Sequence, residues 1–348
     1  MKKVWALPLL WGILHGINDF ISGFMLSHVM LNNHEYAFFL VILYAILAFG
    51  GQLPLGIWLD KRKQLSLFGI TGITLLLFSI PIFFINNFAA IVITGLASAI
   101  IHIVGGSVCY IVNKEKATPL GIFTAPGVLG LAMGLLTGNL QNTILFIPFT
   151  LVLVLLFLIV YKGFPSYITQ QTKNSKDQLD QHDTIMIVLL LFMSFRSLVY
   201  DIINQSAQQY EQGILVIAIA AFAGKFIGGI MADKVGWKLW IKITLPLAFI
   251  LLQIGANNVY ILGFGIACLQ SSVPISLMLI QKALPNMPAT ATSLSLGTSI
   301  ALAGLPLFLL KNNTIVHYWF MNKWLWVFIA LFCAFLWYKI HRFKWATI

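Results

Sequence analysis

Polar breaks divide this chain into twelve apolar stretches, each close to the length of about 20 residues that a helix needs to cross a hydrocarbon core. The stretches run over residues 4–31, 35–59, 65–85, 88–112, 117–139, 142–162, 184–204, 212–232, 239–255, 258–281, 288–311 and 323–341. The first fourteen residues, MKKVWALPLLWGIL, imitate a secretory signal. The pattern then continues through His15, Asn18 and Asp19 with no small-residue cleavage site, so the segment reads as a first transmembrane helix that is kept. The expected fold class is an all-α integral membrane protein.

Composition agrees. The chain has 348 residues, 59% of them hydrophobic and only 9% charged, whereas soluble domains carry about 25% charged residues. A soluble enzyme, a disordered chain and a disulfide scaffold are excluded. The three cysteines, Cys109, Cys268 and Cys333, all fall inside apolar runs without metal-ligand spacing, and the sequence gives no sign of a metal or cofactor.

The net charge of +11 would suggest nucleic acid in a soluble chain, but its placement argues for a membrane. With both termini inside, cytoplasmic segments hold 17 of the 21 basic residues, and the outer loops hold only Lys311 and Lys323. The positive-inside rule gives an N-in, C-in topology in the cell membrane, with the charges facing an anionic leaflet and no nucleic-acid partner. Arg196 and Lys225 fall within spans.

One polar segment, residues 163–183, breaks the rhythm after the sixth stretch. It suggests two pseudo-symmetric six-helix bundles, 1–162 and 184–348, joined by a cytoplasmic linker, with a substrate site between them. The loop after the second stretch reads PLGIWLDKRKQ and the loop after the eighth reads GGIMADKVGWK. Each places a glycine four residues before an aspartate, Gly56 before Asp60 and Gly229 before Asp233, followed by basic residues. The glycine permits close helix approach, and the aspartate can meet a neighbouring helix N-terminus or a basic partner. This pair resembles the loop motif of the major facilitator superfamily. The second copy matches through Gly229, Asp233, Lys234, Gly236 and Lys238, and the first lacks the glycine after Asp60. The resemblance implies that these residues lock helices and gate the cytoplasmic side.

Titratable groups inside spans are functional candidates because they are expensive to bury there. In LHGINDFISG, His15 and Asp19 share a helical face with Asn18 adjoining, and a buried carboxylate beside an imidazole can trade a proton. In SFRSLVYDIINQ, Arg196 and Tyr200 share a face, while Asp201 lies too far round the helix for a direct pair. Arg196 keeps its proton and needs an anion: Asp19 across the bundle, Asp201 through a neighbour, or an anionic or zwitterionic solute. Asn204 and Asp201 approach the outer end. His102 sits mid-span with Gly105 and Gly106 one turn on. The candidates for proton coupling are therefore Asp19, His15, His102 and Asp201. Those for a substrate cavity are Asn18, Arg196, Tyr200 and Asn204. In the fifth stretch Gly127, Gly130, Gly134 and Gly138 surround Pro126, a smooth packing stripe with a bend.

The His-x-x-Asn-Asp of span one, the glycine-flanked His102, Arg196-Ser197, Gln52-x-Pro54-x-Gly56 and Gln281-x-x-x-Pro285 occur in an order that resembles the fosmidomycin-resistance-type branch of the superfamily. His102 is followed by Ile103 where that branch commonly has proline. The resemblance implies a monomeric secondary transporter of a small molecule, driven by protons and tilted toward efflux by antiport. A uniporter or importer with structural buried charges is the alternative. A non-transporting membrane sensor or enzyme is a second alternative, but no nucleotide loop, metal cluster or nucleophile–base pair points to catalysis and the largest polar stretch is the segment 163–183.

Overall fold

The computed structural model describes residues 2–32, 34–138, 146–163, 182–255, 257–309 and positions 334, 335 and 338. Among them no strand occurs, and the helices run in the order α1 (Lys2–Asn32), α2 (His34–Ala45), α3 (Gln52–Arg62), α4 (Leu65–Phe83), α5 (Asn87–Val112), α6 (Thr118–Gly138) and α7 (Phe146–Gly163). There follow α8 (His182–Ala207), α9 (Gly213–Met231), α10 (Trp237–Ile254), α11 (Val259–Gln270), α12 (Val273–Ala283), α13 (Pro288–Thr292) and α14 (Ser299–Leu309). Most of the expected linker and nearly all of the stretch 323–341 lie outside the described residues.

Three wide π turns, Ile46–Gly50, Ala232–Gly236 and Ser293–Thr298, carry the chain from one helix into the next without a loop. Gly236 closes the second at φ +89°, a left-handed conformation that suits glycine, and so lets α9 and α10 part there. Eight stretches of the described residues are long and apolar enough to cross a membrane. Their outer faces carry side chains such as Phe264, Ile254 and Phe78 at 70%, 65% and 60% exposure. Hydrocarbon solvates such side chains, and the backbone polar groups close on themselves within each helix. This is a multi-pass membrane protein.

Because apolar side chains gain little by leaving lipid for one another, packing inside depends on close backbone approach. The contact between α1 and α6 shows it. A Cβ at Gly130 would overlap the Gly16 carbonyl, and one at Gly134 would overlap the Phe20 carbonyl. The sequence stripe of glycines is the face on which α6 lies against α1. Early and late helices also meet directly. A Cβ at Gly56 on α3 would strike Ser293, and one at Gly229 on α9 would lie 2.9 Å from the Ala117 carbonyl oxygen.

Candidate functional site

Where α1 passes α5 and α6, three titratable side chains converge. His15 Nε2 lies 3.1 Å from Asp19 Oδ2, and His102 Nε2 lies 3.7 Å from Asp19 Oδ1. The helical step of four places His15 and Asp19 on one face, as the sequence indicates, and α5 delivers His102 to it. The two imidazoles meet edge to face with centroids 4.4 Å apart. Both histidines are almost wholly buried. The space for them comes from a glycine: a Cβ on Gly127 would overlap the His15 ring and come within 2.6 Å of Asp19 Oδ2. Gly105 does the same for Phe123, whose ring stacks on His15 at 4.8 Å.

The hydrogen bonds fix the protons. His15 Nδ1 is 2.8 Å from the Phe123 carbonyl oxygen, which can only accept, so Nδ1 carries a hydrogen. Its Nε2 therefore either carries a second hydrogen or presents a bare lone pair to the carboxylate. Two bare acceptors do not sit at 3.1 Å, so a proton lies between His15 and Asp19. His102 Nδ1 is likewise 2.7 Å from the Ser98 carbonyl oxygen. Its Nε2 stands beyond hydrogen-bond range of Asp19, and two touching imidazoles disfavour a second cation. Asn18 donates to Asp19 Oδ1 (2.8 Å) and to Ser98 Oγ (3.1 Å), and the Tyr44 hydroxyl donates to Ser98 Oγ (3.3 Å). The cluster thus holds one shared proton in a fixed frame.

The three ligand atoms of His15, Asp19 and His102 lie within 4.8 Å of one another, a spread that a transition ion could draw together. Sequence spacing could not show this, since His102 stands on another helix.

The cluster forms part of the wall of a cavity of about 230 Å³. Facing it from α8, α9 and α11 are Arg196, Tyr200, Asp201, Lys225 and Gln270. Arg196 finds neither carboxylate. It donates to Gln270 Oε1 (2.8 Å) and Ser197 Oγ (3.2 Å), and its buried Nε has no partner. Among the described residues Lys225 reaches only the Thr124 carbonyl oxygen, at 3.5 Å. Asp201 lines the cavity, whereas the half-buried Asn204 does not. Gln270, Ser98 and Tyr44 escape sequence reasoning because ordinary polar residues carry no charge signal. Lys225 does carry one, as a lysine within a span.

The two loop aspartates reach helix starts on distant helices. Asp60 accepts from the backbone amides of Ala289 (3.0 Å) and Thr290 (2.8 Å) at the start of α13. Asp233 accepts from those of Ala117 (2.8 Å) and Thr118 (2.9 Å) at the start of α6, and also from the Thr118 hydroxyl. Each carboxylate fills the free N–H groups of a helix terminus. Of the other motif residues, Gly236 supplies the backbone turn, and Lys238 lies over the Trp237 ring at 5.5 Å.

No protein-family profile matches the chain, and no curated protein sequence is detectably similar to it. Solved structures do share its fold. The E. coli fucose:proton symporter FucP superposes with a TM-score of 0.67 at 11% identity, covering 95% of this chain and 98% of that one. A bacterial homologue of the iron transporter ferroportin, in an outward-facing state, gives 0.66 at 14% identity over 99% and 100%. A second FucP structure, described as a major facilitator superfamily transporter in the outward conformation, gives 0.63 at 13% over 96% and 97%. The chain has the fold of major facilitator transporters over essentially its whole length.

Proposed function

We propose that this protein is a proton-coupled secondary transporter of a small organic solute, working by alternating access and in the direction of efflux. The observation that carries the reading is the buried 3.1 Å contact of His15 with Asp19 on the wall of the cavity. In this reading a rocking movement exposes the cavity to each side in turn, and the His15–Asp19–His102 cluster loads its proton on one side and releases it on the other. Asp201 is a second carboxylate available on the same wall. Tyr200 lines the solute cavity, and Asn18, fully buried behind the wall, acts through its bond to Asp19. Asn204, off the wall, would join it only after movement.

The architecture in this reading is two six-helix bundles, 1–162 and 184–348, with both termini inside the cell membrane, working as a monomer. The cavity lies between helices of the two bundles. The contacts of Asp60 and Asp233 cross from one bundle to the other and act as the cytoplasmic gate, closed here, so that the cavity faces outward. The fold is shared with a fucose:proton symporter, which gives proton coupling a precedent on this architecture. Efflux rests on the likeness to the fosmidomycin-resistance-type branch.

The test uses purified protein in liposomes containing a pH-sensitive dye, with an imposed proton gradient and a panel of small organic anions, sugars and drugs. A compound should dissipate the gradient with the wild type and fail to do so with Asp19→Asn. Normal proton-driven flux in a well-folded Asp19→Asn protein would sink the assignment. Flux that follows the solute gradient and ignores pH would make the protein a uniporter.

A further inference from the structure

Two cations line the cavity without an ion pair among the described residues. Arg196 is 6% exposed, and no carboxylate of the described residues lies within ion-pair distance of it or of Lys225. Burying a cation in a membrane span without an anion is costly, so such residues mark a place where one is supplied. Two of the five N–H groups of a guanidinium are taken, by Gln270 and Ser197. Among the described residues the Nε–H has no partner but is enclosed, and one hydrogen on each terminal nitrogen remains unpaired on the side chain that lines the cavity. Gln270 holds the guanidinium in place without neutralising it. The Lys225 ammonium has one long contact, to Thr124, and lines the same cavity.

The other charges of the cavity are accounted for. Asp19 shares a proton with His15 and accepts from Asn18, so that pair contributes no net charge. Asp201 lines the wall and pairs with no cation. Arg196 and Lys225 as cations, with Asp201 as a carboxylate, leave one positive charge to balance.

We infer that the transported solute is a small organic monocarboxylate, whose carboxylate is received in the cavity by the unpaired terminal N–H groups of Arg196 and the ammonium of Lys225. This rests on the transporter reading and names the class of solute for the same cavity. A carboxylate matches both the single charge and the planar geometry. A phosphoryl group carries closer to two charges at neutral pH and fits the count less well. Arg196 and Lys225 would share one ligand, and Gln270 is a positioning residue that acts through Arg196.

The experiment measures ligand-induced thermal stabilisation of the purified full-length protein. The panel consists of small monocarboxylates, each paired with its primary amide and its phosphonate analogue. Stabilising compounds should be concentrated among the carboxylates, each binding at least about tenfold more tightly than its amide, the scale of one charge-assisted contact. Lys225→Gln and Arg196→Gln should each weaken the best carboxylate by about thirtyfold or more, and Arg196→Lys should fall between, since it keeps the charge and loses the fork. Amides or phosphonates binding as well as carboxylates would overturn the inference, as would the absence of any carboxylate that binds. If the glutamine variants do not fold, the pairwise ranking on the wild type decides by itself. A neutral solute carried against a proton gradient would refute the carboxylate and leave the transporter reading standing. A carboxylate that binds through both cations and is never carried would do the reverse.

Discussion

Asp60 takes two hydrogen bonds from Thr290, one from its amide at 2.8 Å and one from its hydroxyl at 2.7 Å, although 230 residues separate them. The Asp233 carboxylate is bound by the amide and hydroxyl of Thr118 in the same way. The repetition is a consequence of the repeated glycine-x-x-x-aspartate. A glycine lets two helices touch, and the carboxylate one turn later then falls on the neighbour's free N–H groups.

This geometry predicts the effect of Asp60→Asn. The amide cannot accept at its nitrogen and carries no charge, so the substitution loses part of a charge-assisted set worth about 1.5–3 kcal/mol per bond. A loss of about 2 kcal/mol moves a closed-to-open equilibrium by about thirtyfold. The measurement is alkylation of a cysteine placed at the buried Ser293, in a background lacking the native cysteines. Asp60→Asn should accelerate labelling by about thirtyfold and Thr290→Val by less. An unchanged rate would show that Asp60 does not hold the contact shut.

The α1–α6 contact makes a prediction about stability. A methyl group at Gly130 meets the backbone of Gly16, which cannot yield as a side chain would. Gly130→Ala should destabilise the protein by about 1–3 kcal/mol, the usual effect of overpacking. Gly50, with nothing within 4 Å of its Cβ position, is the control. Gly50→Ala should leave the thermal midpoint almost where it was. Equal effects of the two substitutions would contradict the packing described here.

The tautomers of the site can be read directly. His15 and His102 both present Nδ1 to a backbone carbonyl oxygen, at 2.8 and 2.7 Å. Nitrogen shifts of labelled histidine in reconstituted protein should show both Nδ1 atoms protonated. The His15 Nε2 signal should be displaced by the shared proton, and Asp19→Asn should remove that displacement. A neutral Nε2–H tautomer at His15 would refute the arrangement.

Much of this was legible in the sequence because it rests on local rules. The spacing of His15 and Asp19 is a property of one helix, and so is the stripe of Gly130 and Gly134. The loop aspartates could be matched to helix starts because a carboxylate beside a terminus is a general electrostatic preference. What stayed hidden depends on which helices touch. Nothing in the order of residues brings His102 to Asp19, or tells that Arg196 would be held by Gln270. Gly127 reads as one more packing glycine, yet it is the one whose missing side chain makes room for the imidazole. Within a membrane every span looks alike to a hydropathy pattern, so the pairing of helices is decided by shape, which the pattern does not carry.

Gln52 and Gln281, both fully buried, carry the last prediction. Each has an amide oxygen without a hydrogen-bond partner. Their nitrogens differ. Gln52 Nε2 donates only to the Ala48 carbonyl oxygen, on its own run of helix, at 2.6 Å. Gln281 Nε2 ties α12 to two other segments, through the Gly106 carbonyl oxygen at 3.3 Å and Thr292 Oγ1 at 2.8 Å. Replacing Gln52 removes an unpartnered oxygen and one bond to its own run of helix, whereas replacing Gln281 removes two bonds between separate segments, each worth about 0.5–1.5 kcal/mol. Gln52→Leu should therefore unfold at the wild-type temperature or slightly above it, and Gln281→Leu clearly below it, in calorimetry of the purified protein. The opposite order would mean that the bond from Gln52 to its own helix outweighs the bridge that Gln281 makes between helices.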